Sequence, residues 1–166
     1  VGFESGLVVS TGSTNTFVGS WSAKALTTGA NNVGMGYGAL YSITTQSYNV
    51  AIGSLASCNA TCADNVSVGY EAGRYANGGS SVIIGFQAGR GDAGGTSTFT
   101  QSVIIGYAAG VNLTTGVLNT FVGRSTGNAM TTGTQNVAIG GYALTYAAAP
   151  ENCVAIGHYA MLGNAN

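Results

Sequence analysis

The side chains that most often carry out acid–base chemistry or bind metals are few in this sequence. His158 is the single histidine, and the five carboxylates are scattered along 166 residues. A catalytic dyad or a histidine-rich metal site needs a second such side chain at close range. Glu4 and Glu71 lie in distant parts of the chain, too far apart to act as an acid–base pair. We therefore expect no catalytic, cofactor-binding or metal-binding residue, and no enzymatic activity.

The cysteines allow a different kind of chemistry. Cys58 and Cys62 are four residues apart, whereas Cys153 is far from both. A local Cys58–Cys62 disulfide would suit an oxidising exterior. Two free thiols are the alternative, because spacing alone does not determine connectivity. These spacings do not predict a zinc site.

A glycine-rich stretch, 89–101, contains the tripeptide Arg90-Gly91-Asp92, which has the composition of an integrin-type recognition sequence. Loops that bulge from a regular architecture often carry binding contacts. The candidate contact residues for a cell-surface glycan or receptor are Arg90, Asp92, Thr96 and Phe99. The alternatives are a chance tripeptide and a bulge that binds nothing.

Composition excludes several classes of protein. The chain has 28 glycines, one proline and only 5% charged residues. Disordered chains are rich in charge and poor in β-branched residues, so this one is expected to fold. Its apolar runs are far shorter than the ~20 residues that span a bilayer. A net charge of -1 provides no basic patch, so we expect neither nucleic acid nor membrane as a partner.

A short repeat runs through the whole sequence. A polar residue, often Asn, is followed by apolar-x-apolar-Gly, and the segments 49–53 and 136–140 both read Asn-Val-Ala-Ile-Gly. We call the closing glycine of each copy the anchor glycine. The anchors are Gly2, Gly19, Gly36, Gly53, Gly69, Gly85, Gly106, Gly123, Gly140 and Gly157, at spacings of 17, 17, 17, 16, 16, 21, 17, 17 and 17. A fixed period of this kind is typical of a solenoid with one coil per repeat.

The residue types within each repeat predict strands and tight turns. Positions one and three before the anchor are mostly Val or Ile, and they share one face because strand side chains alternate with period two. We interpret that face as the buried interior. The residue three after the anchor is always small, which predicts a tight corner. A helix is excluded, since each interior glycine would cost ~1 kcal/mol. The prediction is an all-β solenoid, or β-roll, of about ten coils with two short strands each.

The residue two before the anchor then points outward, and this column has few polar members. Its largest side chains, the candidate oligomer interface, are Phe17, Ile83, Ile104 and Phe121. An apolar outer column favours association of chains, and we favour a trimer about a common axis. A single solenoid with a mildly apolar exterior is the alternative.

Aromatic residues follow several anchors. Trp21, Tyr142 and Tyr159 each lie two residues after an anchor, and the two tyrosines belong to adjacent coils. Exposed rings could form a platform for sugars, whereas ring-on-ring packing between coils is the alternative. His158 lies directly after an anchor, where other coils carry Tyr or Phe, and is interpreted as a surface variant of that column.

The recurrent Asn-Val-Ala-Ile-Gly-x-x-Ala-Leu, with Thr-Thr-Gly turns between copies, resembles the repeats in tail fibres of tailed bacteriophages. Its core is also similar to the head repeats of trimeric autotransporter adhesins, which form trimeric left-handed β-rolls from shorter repeats. The first resemblance implies a structural shaft of a viral tail fibre involved in host attachment. The second implies a bacterial extracellular adhesin or surface filament.

These expectations describe residues 1–166 as one repetitive module, a fragment of a longer chain. Its location would be extracellular, on a virion tail fibre or alternatively on a bacterial surface. Its partners would be further copies of itself, other virion tail proteins, and a cell-surface glycan or receptor. Ice binding by a threonine array is disfavoured, because adjacent threonines point to opposite faces.

Overall fold

The computed structural model describes residues 1–94, 97–145 and 148–161. These residues form nine short β-strands that pair in parallel, in sequence order, within a single sheet. The strands are β1 (Thr16–Val18), β2 (Val33–Met35), β3 (Val50–Ile52), β4 (Val66–Val68), β5 (Val82–Ile84), β6 (Val103–Ile105), β7 (Thr120–Val122), β8 (Val137–Ile139) and β9 (Val154–Ile156). No helix long and apolar enough to cross a membrane occurs among them.

The register confirms the predicted solenoid. Each strand residue pairs with its equivalent in the next coil, as Ala51 does with Ser67. The prediction of about ten coils is too high, because nine strands joined in succession complete about eight turns. The second strand expected in each coil is also wrong for the described residues. Only two isolated bridges, Thr100–Val117 and Thr134–Glu151, pair coils outside the main sheet.

The anchor glycines end the strands because no other residue fits there. Their φ angles lie between 121° and 144°, a region that side chains rarely adopt. A Cβ built on Gly53 would lie 2.5 Å from the carbonyl oxygen of Gly69 in the next coil. Two tight turns follow each anchor, as where the Ala39 N–H donates to the Gly36 carbonyl at 3.3 Å. Ala39 is fully buried, which confirms the tight corner predicted from its small size.

The interior and exterior faces are the reverse of the prediction. In β3 the middle residue, Ala51, is buried, whereas Ile52 is 39% exposed. Ile83, Ile104 and Phe121 are fully buried inside their own chain, and Phe17 packs against the core half-buried. None of the three buried side chains can form the predicted oligomer interface. The cause is the turn after the anchor, which places the small corner residue and the middle strand residue on the same inner side.

The interior is narrow, and side-chain volumes compensate across it. The middle strand residue faces the position four after the preceding anchor. Where the strand supplies Phe121, that position is Gly110, whose added Cβ would lie 3.1 Å from the Phe121 ring. Where the strand supplies Ala51 or Ala155, the facing positions are Leu40 and Leu144, both buried. Close packing of this kind leaves little room for volume changes.

A hydrogen-bonded ladder of polar side chains lines another edge of the interior. The Asn32 backbone N–H donates to Asn15 Oδ1 at 2.9 Å, and the Asn49 N–H donates to Asn32 Oδ1 at 3.0 Å. The Asn32 amide also donates to the Gln46 carbonyl at 2.9 Å. The hydroxyls of Ser81 and Ser102 continue the ladder before it returns to asparagine. Each buried amide thus satisfies backbone groups that the turns leave unpaired.

Candidate functional site: an apolar outer face of the sheet

The side chains on either side of each middle strand residue point outward and form one continuous surface, which we call the aliphatic face. It consists of Thr16, Val18, Val33, Met35, Val50, Ile52, Val66, Val68, Val82, Ile84, Val103, Ile105, Thr120, Val122, Val137, Ile139, Val154 and Ile156. No charged residue interrupts it. Some of its side chains keep about two-fifths of their surface exposed, such as 40% for Met35 and 39% for Ile139, whereas those of the middle strands, such as Val68 and Ile84, are half-buried.

A column of aromatic rings borders the aliphatic face, one residue beyond the anchor glycines. The rings of Tyr70 and Phe86 are 5.2 Å apart at 19°, and those of Phe86 and Tyr107 are 5.1 Å apart at 6°. The Arg124 guanidinium lies 5.6 Å from the Tyr107 ring centroid and extends the stack. The ring faces cover one another, while the edges remain exposed. The column therefore widens the apolar surface.

The size of this surface marks it as a site of interaction. Nine strands at a spacing of ~4.8 Å give a length of about 40 Å. With a width of about 10 Å, from the third residue before an anchor to the anchor itself, the area is about 400 Å². The largest apolar patch on a typical soluble monomer is about 300–600 Å², and such patches are often functional. Sequence reasoning found the columns but assigned them to the interior.

The long coil, which runs from Gly85 to Gly106, does not present the predicted contact residues as a group. Phe99 is fully buried. It occupies the position that the turn glycine Gly116 has in the next coil, because the residues that follow these two, Thr100 and Val117, pair with each other. Arg90 is half-buried, and its carbonyl accepts the Tyr75 N–H at 2.9 Å, as in a regular coil. Asp92 is exposed. Thr96 lies outside the described residues.

This arrangement corrects two expectations about the long coil. Gly91 is buried, so Arg90, Gly91 and Asp92 do not form an exposed tripeptide. The prediction of Phe99 as a contact residue is wrong, because its ring supplies interior volume: a Cβ on Gly89 would lie 3.2 Å from it. A glycine-rich coil has room for that ring, which sequence spacing did not reveal.

Cys58 and Cys62 are free thiols in the structure, not a disulfide. The Cys62 Sγ accepts a hydrogen bond from the Asn65 amide at 2.8 Å and donates to the Ala76 carbonyl at 3.1 Å. Burial raises the pKa of the Cys58 thiol and raises that of Cys62 to about 11. Both groups are therefore held in the protonated, unreactive form.

Glu71 is the centre of a polar cluster, although the sequence indicated only that it lacks an acid–base partner. Glu71 is 5% exposed and forms an ion pair with Arg74. The Gln87 amide in the next coil donates to Glu71 Oε2 at 2.9 Å. Burial acts to raise the pKa of Glu71, but the hydrogen bonds from Gln87 and Arg74 and the charges of Arg74 and Arg90 hold it below its ordinary value.

This cluster predicts a loss of stability in acid. A carboxyl whose pKa is lower in the folded chain stabilises the fold above the unfolded value, near 4.5, and loses that contribution as pH falls through the folded value. Thermal unfolding followed between pH 7 and pH 3 should show Tm of the natural chain falling below about pH 4.5. Glu71→Gln should start lower at pH 7 and lose less between those limits. An equal acid slope in both proteins would contradict a role for Glu71.

The aromatic residues after the anchors behave in two ways. The rings of Tyr142 and Tyr159 stack at 5.2 Å and 16°, so their faces are occupied by each other. Tyr142 and Tyr159 therefore show the ring-on-ring packing between coils that was the alternative to a sugar platform. His158 is exposed and lies 4.1 Å from the Tyr159 ring centroid, as expected for a surface variant. Trp21 differs, because its ring is tilted by 45° to that of Tyr37.

No group of three or more His, Cys, Asp or Glu side chains within the described ranges is arranged to hold a metal ion. Comparisons with models of protein families, with curated protein sequences and with solved structures found no match. Function must therefore be argued from the solenoid and its surfaces.

Proposed function

We propose that this chain is a structural module in the shaft of an extracellular fibre, of the kind that holds a virion's receptor-binding tip away from its tail. The observation that supports this proposal best is the aliphatic face, which runs along the whole stack of coils with one uniform composition. A surface that repeats with every coil suits lengthwise packing of identical rods. The long, regular parallel stack suits a spacer, because each coil contacts only its neighbours.

The partner that the aliphatic face fits is a further copy of the same chain. Three faces of about 400 Å² each, meeting around a common axis, would remove about 1,200 Å² from water in all, which is about 400 Å² for each pair of chains and less than the ~1,600 Å² of a standard two-chain interface. β-Branched side chains such as Ile52 and Ile139 repeat at one spacing, so identical rods would interlock in register. The absence of charge on the face removes any repulsion between copies.

Substitutions on this face should separate association from folding. Ile52→Lys combined with Ile139→Lys introduces two charges at positions that are each 39% exposed in the single chain. Sedimentation velocity should then show one chain instead of three, with the β-sheet circular dichroism kept. Leu118→Lys is the matched control, since Leu118 is 49% exposed but lies off the face. A doubly substituted protein with the natural mass would contradict this interface.

The position of the module can be tested on particles. Antibodies raised against the purified chain and labelled with gold should decorate a thin tail appendage of virions in electron micrographs, and should reduce adsorption to host cells. Decoration of bacterial envelopes with no label on virions would overturn the tail-fibre proposal. That result would favour the alternative of a bacterial adhesin or surface filament.

A further inference from the structure

We propose that the depression between Trp21, Tyr37 and Tyr41 is a binding site for a neutral pyranose unit of a glycan. The three rings come from two neighbouring coils and line a shallow hollow on the outer surface. Leu55, Cys58 and Asn59 of the following coil close its far side. This proposal does not require the chains to associate, and it assigns a ligand class to a particular part of the solenoid.

The ring geometry leaves an aromatic surface available in this place. The Trp21 ring lies 5.2 Å from that of Tyr37 at 45°, and 6.3 Å from that of Tyr41 at 66°. Tilted rings form a wedge, whereas the parallel rings of Phe86 and Tyr107, at 6°, cover each other's faces. A sugar needs an uncovered ring face against which its apolar C–H face can pack. The tilted cluster of Trp21, Tyr37 and Tyr41 borders an open hollow, so part of a ring face is available there.

The hollow exists because one coil has no side chain where its neighbours have large ones. Gly38 lies two residues after its anchor, a position that holds Trp21 in the preceding coil and Leu55 in the following coil. A Cβ added to Gly38 would lie 3.1 Å from the Leu55 side chain and 4.0 Å from Cys58 Sγ. The missing side chain therefore opens a floor between Trp21 and Leu55.

Polar groups beside the Trp21 ring and in the lining of the hollow can satisfy the hydroxyls of a sugar. The Lys24 Nζ lies 5.4 Å from the Trp21 ring centroid and 6.0 Å from that of Tyr41. It pairs with Glu4 at 2.6 Å, which leaves other N–H groups of the ammonium free to donate. Asn59, which lines the hollow, is exposed, and its side-chain amide makes no hydrogen bond within the described residues.

Charge identifies the ligand as neutral. The residues that line the hollow carry no charge, and Lys24 beside the Trp21 ring is paired with Glu4, so the groups near the rings have no net charge. An apolar floor with a few polar groups at its edge is the usual design of a small-ligand site. A pyranose ring matches it, because one of its faces is formed by C–H groups while hydroxyls project from its edge. A hollow this shallow suits weak binding of a single sugar, in the millimolar range. Several copies on one fibre would strengthen attachment to a polymeric glycan.

The chain provides its own reporter for the test, since Trp21 is its single tryptophan. The probes are methyl glycosides of glucose, galactose and N-acetylglucosamine, titrated into the whole chain while tryptophan emission is followed. Methyl glucuronide serves as the charged comparison. Saturation-transfer difference NMR of the same glycosides gives a second measurement that does not depend on emission.

Tyr37→Ser is the diagnostic variant, because Ser20 and Ser54 occupy the equivalent positions of the two flanking coils and show that serine fits there. Tyr107→Ser is the matched control in a coil remote from the hollow. We expect a saturable response to at least one neutral glycoside, weakened about tenfold or more by Tyr37→Ser and unchanged by Tyr107→Ser.

The following results would overturn the proposal. One is the absence of a saturable signal by both methods with every neutral glycoside. The second is an equal response in the natural chain and in Tyr37→Ser, and the third is a response to the glucuronide alone. Sedimentation of the same samples keeps this test separate from the fibre proposal, because sugar binding can fail while chain association persists.

Discussion

Phe121→Ala is expected to lower the free energy of unfolding by about 3–5 kcal/mol. The ring is fully buried and fits between Gly110 and Gly127, whose added Cβ atoms would lie 3.1 Å and 3.0 Å from it. Two glycine walls have no side chains that could move into the space, so the cavity would stay open. Denaturant unfolding at a fixed chain concentration measures the loss, because association would otherwise shift the apparent stability.

Two companion variants make this expectation specific. Val122→Ala, one residue further on, should cost under about 1 kcal/mol in the unassociated chain, since its side chain faces outward. Phe121→Ala combined with Gly110→Leu should recover about half of the loss, because it recreates a volume-conserving pair. The pairs Leu40 with Ala51 and Leu144 with Ala155 show that the fold accepts that exchange, with Leu40 at φ 56° and Leu144 at φ 54°. A small loss of stability for Phe121→Ala together with a large one for Val122→Ala would contradict the assignment of Phe121 to the inner face and of Val122 to the outer face.

The second large effect is expected within the asparagine ladder. Asn136 is fully buried, and its amide donates to the Pro150 carbonyl at 2.8 Å and to Asn119 Oδ1 at 3.0 Å. Its Oδ1 accepts the Cys153 N–H at 3.0 Å. Asn136→Leu keeps the volume but leaves a backbone N–H and a carbonyl unpaired, at about 1–3 kcal/mol each. The variant should therefore be destabilised by about 2–5 kcal/mol in the same unfolding measurement.

Asn136→Ser is the control that separates hydrogen bonding from packing. Serine stands in the ladder at Ser102, whose hydroxyl accepts the Asn119 N–H at 3.2 Å. The serine variant should thus keep the link to Cys153 and lose less stability than the leucine variant. If leucine were the better tolerated of the two, the ladder would contribute little to the fold.

The one-dimensional architecture could be predicted from the sequence because the anchor glycines report it directly. Each adopts a backbone conformation that side chains rarely adopt, and the anchors from Gly2 to Gly140 each face the backbone of the next coil, which fixes the length of the repeat. The small residue at the tight corner was predictable for the same reason. The number of strands per coil was not, because the tight turns after each anchor replace the second strand.

Residue composition indicated the wrong side of each strand as the buried one. Val and Ile suit a buried strand face, but here they form the exposed face, as at Ile52 and Ile139. The informative signal was variation. A column that must fit opposing side chains changes size in step with them, as Phe121 does with Gly110 and Ala155 with Leu144. An outer column that meets copies of itself can stay uniform.

The two proposed surfaces differ in how far the sequence reveals them. Trp21 could be recognised as a candidate for sugar stacking, but Tyr41 and Gly38 complete the hollow only because the coils align in register. The candidate interface residues were chosen from the wrong column, since alternation with period two fixes which residues share a face and not which face is outside. Only the path of the turns decides that.

The central claim is that copies of this chain associate through the aliphatic face. The most direct measurement is the mass of the unmodified chain by light scattering over a series of dilutions, with circular dichroism recorded on the same samples. We expect the mass of three chains at every dilution, together with β-sheet signal. A folded chain that remains a monomer at all concentrations would contradict the account, because its apolar face would then be exposed with no copy to cover it.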